Sequence, residues 1–402
     1  MAIKIIMLVI FFGVMIGVGV YCRRHATDVN GFVLGGRNVG PWLTAFAYGT
    51  SYFSAVIFIG YAGQFGWKFG LASTWIGLGN AFIGSLLAWN VLGRRTRTMS
   101  QHLESKTMPE FFGVRFDSKI LASLIVFVFL IPYTASLYNG LSRLFGMAFH
   151  LDYTVCIVVM AVLTGIYVIA GGYMATAIND FIQGCIMIIG IIAVIASVLK
   201  SNGGFMQAID ALARVEDAQA TSTPGAFASF FGPDPFGLLC VVILTSLGTW
   251  GLPQMVQKFY AIKDEKSIGK GTLISTIFAI IVAGGCYFLG GFGRLYDIDI
   301  AAQGYDAIIP AMIEKLSPFL IAVVVILVLS ASMSTLSSLV LASSSTLTLD
   351  MIRGTIVKEM TEKKQVFIMR IFIVVFIAIS AVIAVVQYKS GVTFIAQLMG
   401  IS

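Results

Sequence analysis

The sequence predicts an all-α polytopic membrane protein, and three observations carry that prediction. Of 402 residues, 58% are apolar and 11% are charged, less than half the charged share of an ordinary soluble domain. The apolar residues gather in runs of about 20 or more, the length at which a helix crosses the hydrocarbon core. Two of these runs carry helix-breaking residues at corresponding places. Together these exclude a soluble enzyme, a disordered chain and a disulfide-stapled secreted scaffold.

Ten spans follow from the runs: 4–22, 40–65, 70–93, 120–147, 153–173, 176–199, 236–262, 268–292, 317–348 and 365–388. An eleventh run begins near Val392 and stops at Ser402, which reads as a span cut short. The first run has no small-residue cleavage site after it, and Cys22-Arg23-Arg24 reads as an anchor, so it is a retained helix and not a signal peptide. Alternating the spans places 18 of the 26 Lys and Arg in the loops after spans 1, 3, 5, 7 and 9. That bias marks the cytoplasmic side and puts the N-terminus outside, extracellular or periplasmic, in a multi-pass protein of the cell membrane. The net charge of +7 is therefore assigned to topology and to the bilayer, and a nucleic-acid partner is not expected. The longer loops, 201–235 and 293–316, fall outside, and Met206–Val215 reads as a short surface helix. Five cysteines and three histidines show no metal-ligand spacing. With no nucleophile–base set either, no catalytic residue is expected.

Span 2 carries the polar patch Gly49-Thr50-Ser51 near its middle, and unwinding is expected there. Span 7 carries Gly248, Gly251 and Pro253 within six residues, enough to interrupt a helix. The two lie five spans apart, an odd offset that inverts the second set of helices relative to the first. Interrupted helices at matched places in inverted halves point to a transporter's central site. Where a membrane helix unwinds, its carbonyls must line a cavity, bind water or coordinate a cation.

Span 9 has eleven Ser or Thr between Ser330 and Thr348. Ala331, Ser334, Thr335 and Ser338 follow the i, i+3, i+4, i+7 spacing of one helical face, with Ser337 on its flank. Neutral oxygens on one face suit a dehydrated monovalent cation. The alternative is that the hydroxyls bond back to their own helix. Asp180 lies about one turn into span 6, where a carboxylate serves either an ion site or the helix N-terminus as a cap.

These stretches resemble the sodium:solute symporter family. The likeness rests on Gly35-Gly36-Arg37 before span 2, Met108-Pro109-Glu110-Phe111-Phe112 in the third loop, and Gly171-Gly172-Tyr173 leading to Asp180-Phe181-Ile182-Gln183. It continues through Pro253-Gln254-Met255-Val256-Gln257-Lys258-Phe259-Tyr260-Ala261 and ends on Ser334-Thr335-Leu336-Ser337. Tyr173 stands where the family has an aliphatic residue. The resemblance implies an inverted-repeat, leucine-transporter-like fold of five plus five helices with one extra N-terminal helix, incomplete here in the last core helix. The domains are then 1–39 (extra helix and first loop), 40–200 (first repeat), 201–235 (extracellular loop) and 236–402 (second repeat).

It further implies sodium-driven import of a small organic solute by alternating access. The main sodium site maps to Thr50, Phe53, Ala331, Ser334 and Thr335, and a second to Asp180, Ser334, Ser337 and Ser338, so two sodium ions per cycle are expected. Solute-binding candidates are Ser51, Tyr52, Tyr133, Tyr138, Thr249 and Trp250. Val56 and Ile57 replace a polar pair of the sugar branch, and Tyr52 stands where proline carriers have an acidic residue. The solute expected is a small carboxylate-bearing one, an amino acid or monocarboxylate. The alternative function is a solute sensor joined to a membrane histidine kinase.

Overall fold

The computed structural model describes residues 2–117, 152–218, 220–353, 357 and 359–389. Among them the chain is helical, with isolated bridges at Val39–Ile262 and Arg353–Val357 in place of any sheet. Among the described residues six helices are long and apolar enough to cross a membrane: Ile3–His25, Val56–His102, Ile157–Ser201, Glu265–Leu295, Pro318–Ile352 and Glu362–Val386. Span 4 at 120–147 and the eleventh run from Val392 lie outside the described residues.

Two of the six each hold parts of two expected spans. Tyr153–Ser201 is continuous except at Gly172, whose φ of 55° and ψ of −145° redirect the chain between spans 5 and 6. Only glycine adopts this conformation readily, and a Cβ there would stand 2.7 Å from the Phe32 carbonyl oxygen. Spans 2 and 3 meet in the same way at Gly70, with φ of 63°.

The hydroxyl-rich helix Pro318–Thr346 is the axis of the molecule. Every residue from Val324 to Thr346 is buried, and the helix packs against Tyr153–Ser201, Glu362–Lys389, Ala2–Cys22 and Pro41–Tyr52. The outer helices show the reverse pattern. Ile5, Ile6, Val9 and Ile10 of the first helix and Phe367 and Val382 of the last are exposed apolar side chains, the surface a lipid-facing helix presents.

The loops sort to two ends. Arg37 donates to the carbonyls of Ser100 and Ser105, Arg97 donates to those of Ile262 and Lys263, and Thr107 Oγ1 donates to Asp350. These contacts gather the connections after spans 1, 3, 7 and 9. At the other end Arg294 joins Trp67 and Asp217, and Asn202 meets Tyr296. The surface helix of the 201–235 loop runs over Phe205–Ala213.

Candidate functional site

The helix Pro41–Tyr52 stops one residue beyond Ser51. Phe53 is extended (φ −100°, ψ 90°), and helix resumes as a π-helical stretch at Val56–Tyr61. The unwinding therefore lies at Phe53–Ser54 and not at the Gly49 patch where the sequence predicts it. Gly49 is helical and accepts the Phe53 N–H at 3.1 Å. Its lack of a side chain admits the Phe278 ring, into which a Cβ would run. Past the break, the N–H groups of Ile57 and Phe58 both go to Ser54 O, at 3.1 Å each. Ile57 is the residue that would serve Phe53 O in an uninterrupted helix, so that carbonyl loses its helical donor.

The hydroxyl-rich helix meets this break. Ser334 Oγ donates to Thr50 O at 3.1 Å, and Thr335 Oγ1 reaches Thr50 O at 3.4 Å and Ser51 O at 3.5 Å. Both hydroxyls also contact Ala331 O, at 3.2 and 3.1 Å. Thr50, Ala331, Ser334 and Thr335, four of the five residues expected to form the main sodium site, thus converge, and Phe53 closes the break beside them. All of them are buried, and each of these contacts is made by a neutral oxygen. The hydroxyls at 337, 343, 344 and 345 bond back to their own helix instead. Ser334 and Thr335 therefore bond both across to the neighbouring helix and back to their own, while these four bond back alone.

The second expected group assembles differently. Ser338 Oγ sits 3.0 Å from Ser51 Oγ and accepts a hydrogen bond from Lys258 Nζ at 2.9 Å. The same ammonium lies 3.7 Å from Asp180 Oδ2, with both side chains almost completely buried. Asp180 is not a cap: the helix runs through it, and its oxygens accept no hydrogen bond among the described residues. Its neighbour Asn179 anchors the first helix by donating to Met15 O at 3.2 Å. Ser337 turns to Ser334 O. Lys258 is the residue of this group that the sequence does not single out. It sits inside span 7, where it passes for one more basic residue at a cytoplasmic span end, yet a lysine amid the apolar and amide residues of Pro253–Ala261 is itself a signal.

Span 7 breaks where glycine and proline predict. Pro235–Leu247 ends, Gly248–Leu252 forms turns, and Pro253 takes the first helical position of Pro253–Ala261. Of the solute candidates, Tyr52 donates to Thr245 O at 3.0 Å, Thr249 to Ser246 O, and Trp250 Nε1 to Ile83 O at 3.1 Å. Asn80, not anticipated from the sequence, accepts from Thr245 and Ser246 at 3.1 Å each, and its buried Nδ2 has no partner among the described residues. Ser51 belongs instead to the Ser338 contact. Tyr133 and Tyr138 lie outside the described residues.

A helix opened between buried neighbours, with hydroxyls of a second helix on the Thr50 carbonyl just before the opening, is an arrangement that suits an ion-coupled membrane transporter. The model of the sodium:solute symporter family matches residues 32–400, and the chain belongs to that family, whose members couple solute import to sodium. It is 29% identical over 405 residues to the osmoregulated proline transporter OpuE of Bacillus subtilis, covering 98% of this chain and 80% of that one. It is 29% identical over 391 residues to sodium/proline symporter 2 of Staphylococcus saprophyticus, covering 94% and 74%. In three dimensions it resembles a Na+-coupled sialic acid symporter in a substrate-bound, outward-open state, with a TM-score of 0.80 and 17% identity over 99% of this chain and 85% of that one. The fold is thus the leucine-transporter-like inverted repeat.

Proposed function

We propose that the transported sodium ion is held by the carbonyls of Thr50, Phe53 and Ala331 and the hydroxyls of Ser334 and Thr335, and that the solute is a small amino acid. The observation that carries the ion site is the convergence of Ser334 and Thr335 on Thr50 O at a helix break. Backbone carbonyls freed by the break and hydroxyl lone pairs supply acceptor oxygens without a buried negative charge, so the ion can leave as well as enter. Sodium bound there bridges Pro41–Tyr52 to Pro318–Thr346. Its binding differs between conformations to the extent that this bridge forms, which is what coupling requires.

The names of the relatives support an amino-acid solute, and proline is the first probe to use, with Tyr52 marking a departure from the proline carriers at the first core helix. Asn80 Nδ2, beside the Tyr52–Thr245 contact, supplies a buried donor for a carboxylate, with Trp250 as the apolar neighbour. We read the repeats as 40–200 and 236–402 and the N-terminus as outside; the gathering of Arg37 and Arg97 with the connections after spans 1, 3 and 7 supports that orientation. No observation favours the kinase-linked sensor. In proteoliposomes the full-length protein accumulates labelled L-proline under an inward sodium gradient and not under a potassium gradient. Equal uptake in potassium contradicts sodium coupling, and sodium-dependent uptake of other amino acids in place of proline redirects the solute alone.

A further inference from the structure

We propose that the second cation position of this protein is filled by its own Lys258 ammonium, so that one sodium ion, not two, moves with each solute. This rests on the sodium reading of the main site and refines it.

The geometry is that of an occupied cation pocket. Lys258 Nζ stands 2.9 Å from Ser338 Oγ and 3.7 Å from Asp180 Oδ2, on two of the four residues expected to hold a second sodium. The ring of Tyr173 lies 5.2 Å from the same nitrogen, within range of a cation–π contact. A buried carboxylate demands a cation, and here that cation is covalently attached. With Asp180 neutralised in place, a sodium ion entering the pocket would meet a like charge and would first have to displace the lysine.

The tether also gives the ammonium a mechanical role that a free ion lacks. Lys258 belongs to Pro253–Ala261, the second half of one broken helix. Through Ser338 it reaches Ser51, on the last turn of the other. Ser51 O is itself within reach of Thr335 of the main site. The lysine thereby joins both interrupted helices to the hydroxyl-rich helix beside the transported ion.

The test counts bound 22Na+ per chain on the purified full-length protein at saturation, without solute, for wild type, Lys258→Gln and Lys258→Gln/Asp180→Asn. The expected result is one sodium for wild type, two for Lys258→Gln, where Asp180 recruits a free ion, and one for the double variant. Two sodium ions on wild type overturn the assignment of Lys258, and this arm needs no variant to fold. A Lys258→Gln protein that keeps wild-type monodispersity and still binds one sodium also overturns it. No bound sodium on wild type overturns instead the main-site reading on which the assignment rests.

Discussion

Two polar pockets lie along the same buried helix and solve the cost of polarity in different ways. Around Thr50 O the groups are a carbonyl and two hydroxyls, all neutral. About a turn away, around Ser338, they are a carboxylate and an ammonium at 3.7 Å. A neutral pocket leaves the charge to be supplied by an ion that comes and goes. A charged pair satisfies itself and costs much when one partner is lost, because the other is left buried and uncompensated. The first arrangement suits cargo and the second suits a fixed joint.

The largest effect that separates the two pockets is on stability. Lys258→Met in sodium-free buffer is expected to lower unfolding stability by about 3–5 kcal/mol, and adding Asp180→Asn to restore much of it. Thermal unfolding of the three proteins checks this. Added sodium should raise the midpoint of Lys258→Met more than that of wild type, by linkage. A double variant no more stable than the single one would break the contrast.

Next comes the packing of the helix that leads into the break. Gly49→Ala forces a methyl into the Phe278 ring, and overpacking of this kind costs about 1–3 kcal/mol. Phe278→Leu in the same chain should recover part of the loss, read as folded yield and thermal midpoint. Ser334→Ala alone is expected to weaken sodium binding by about tenfold, the order of one neutral hydrogen-bonding group. Ser345→Ala, whose hydroxyl only bonds back to Leu341 and Ala342, is expected to leave sodium affinity within twofold and stability within about 0.5 kcal/mol.

Periodicity made the neutral pocket legible in the sequence. Ala331, Ser334 and Thr335 fall on one face by spacing alone, and a hydroxyl face opposite a weak helix needs little more to suggest an ion site. The break near Pro253 was equally readable, because proline and two glycines enforce it locally. The break at Phe53–Ser54 was displaced from the glycine that attracted notice, since no residue there forbids helix. What marks the place is tertiary: hydroxyls of another helix contact the Thr50 carbonyl just before it. Asp180 was ambiguous between cap and ion site, because a carboxylate early in a span suits both. The helix running through it excludes the cap, and the lysine beside it, Lys258, lies 78 positions away on another helix, a pairing that local pattern cannot supply. Glycine joints at Gly70 and Gly172 were similarly hidden, as each replaces a loop by a single residue.

The claim at the centre is that sodium docks between the opened stretch after Thr50 and the hydroxyls facing it. It is tested most directly by the dissociation constant of 22Na+ on the purified full-length protein, wild type against Ser334→Ala/Thr335→Val. The account predicts a loss of about a hundredfold, tenfold for each neutral group removed, with the protein still folded and monodisperse. Unchanged sodium affinity in that folded double variant would contradict it.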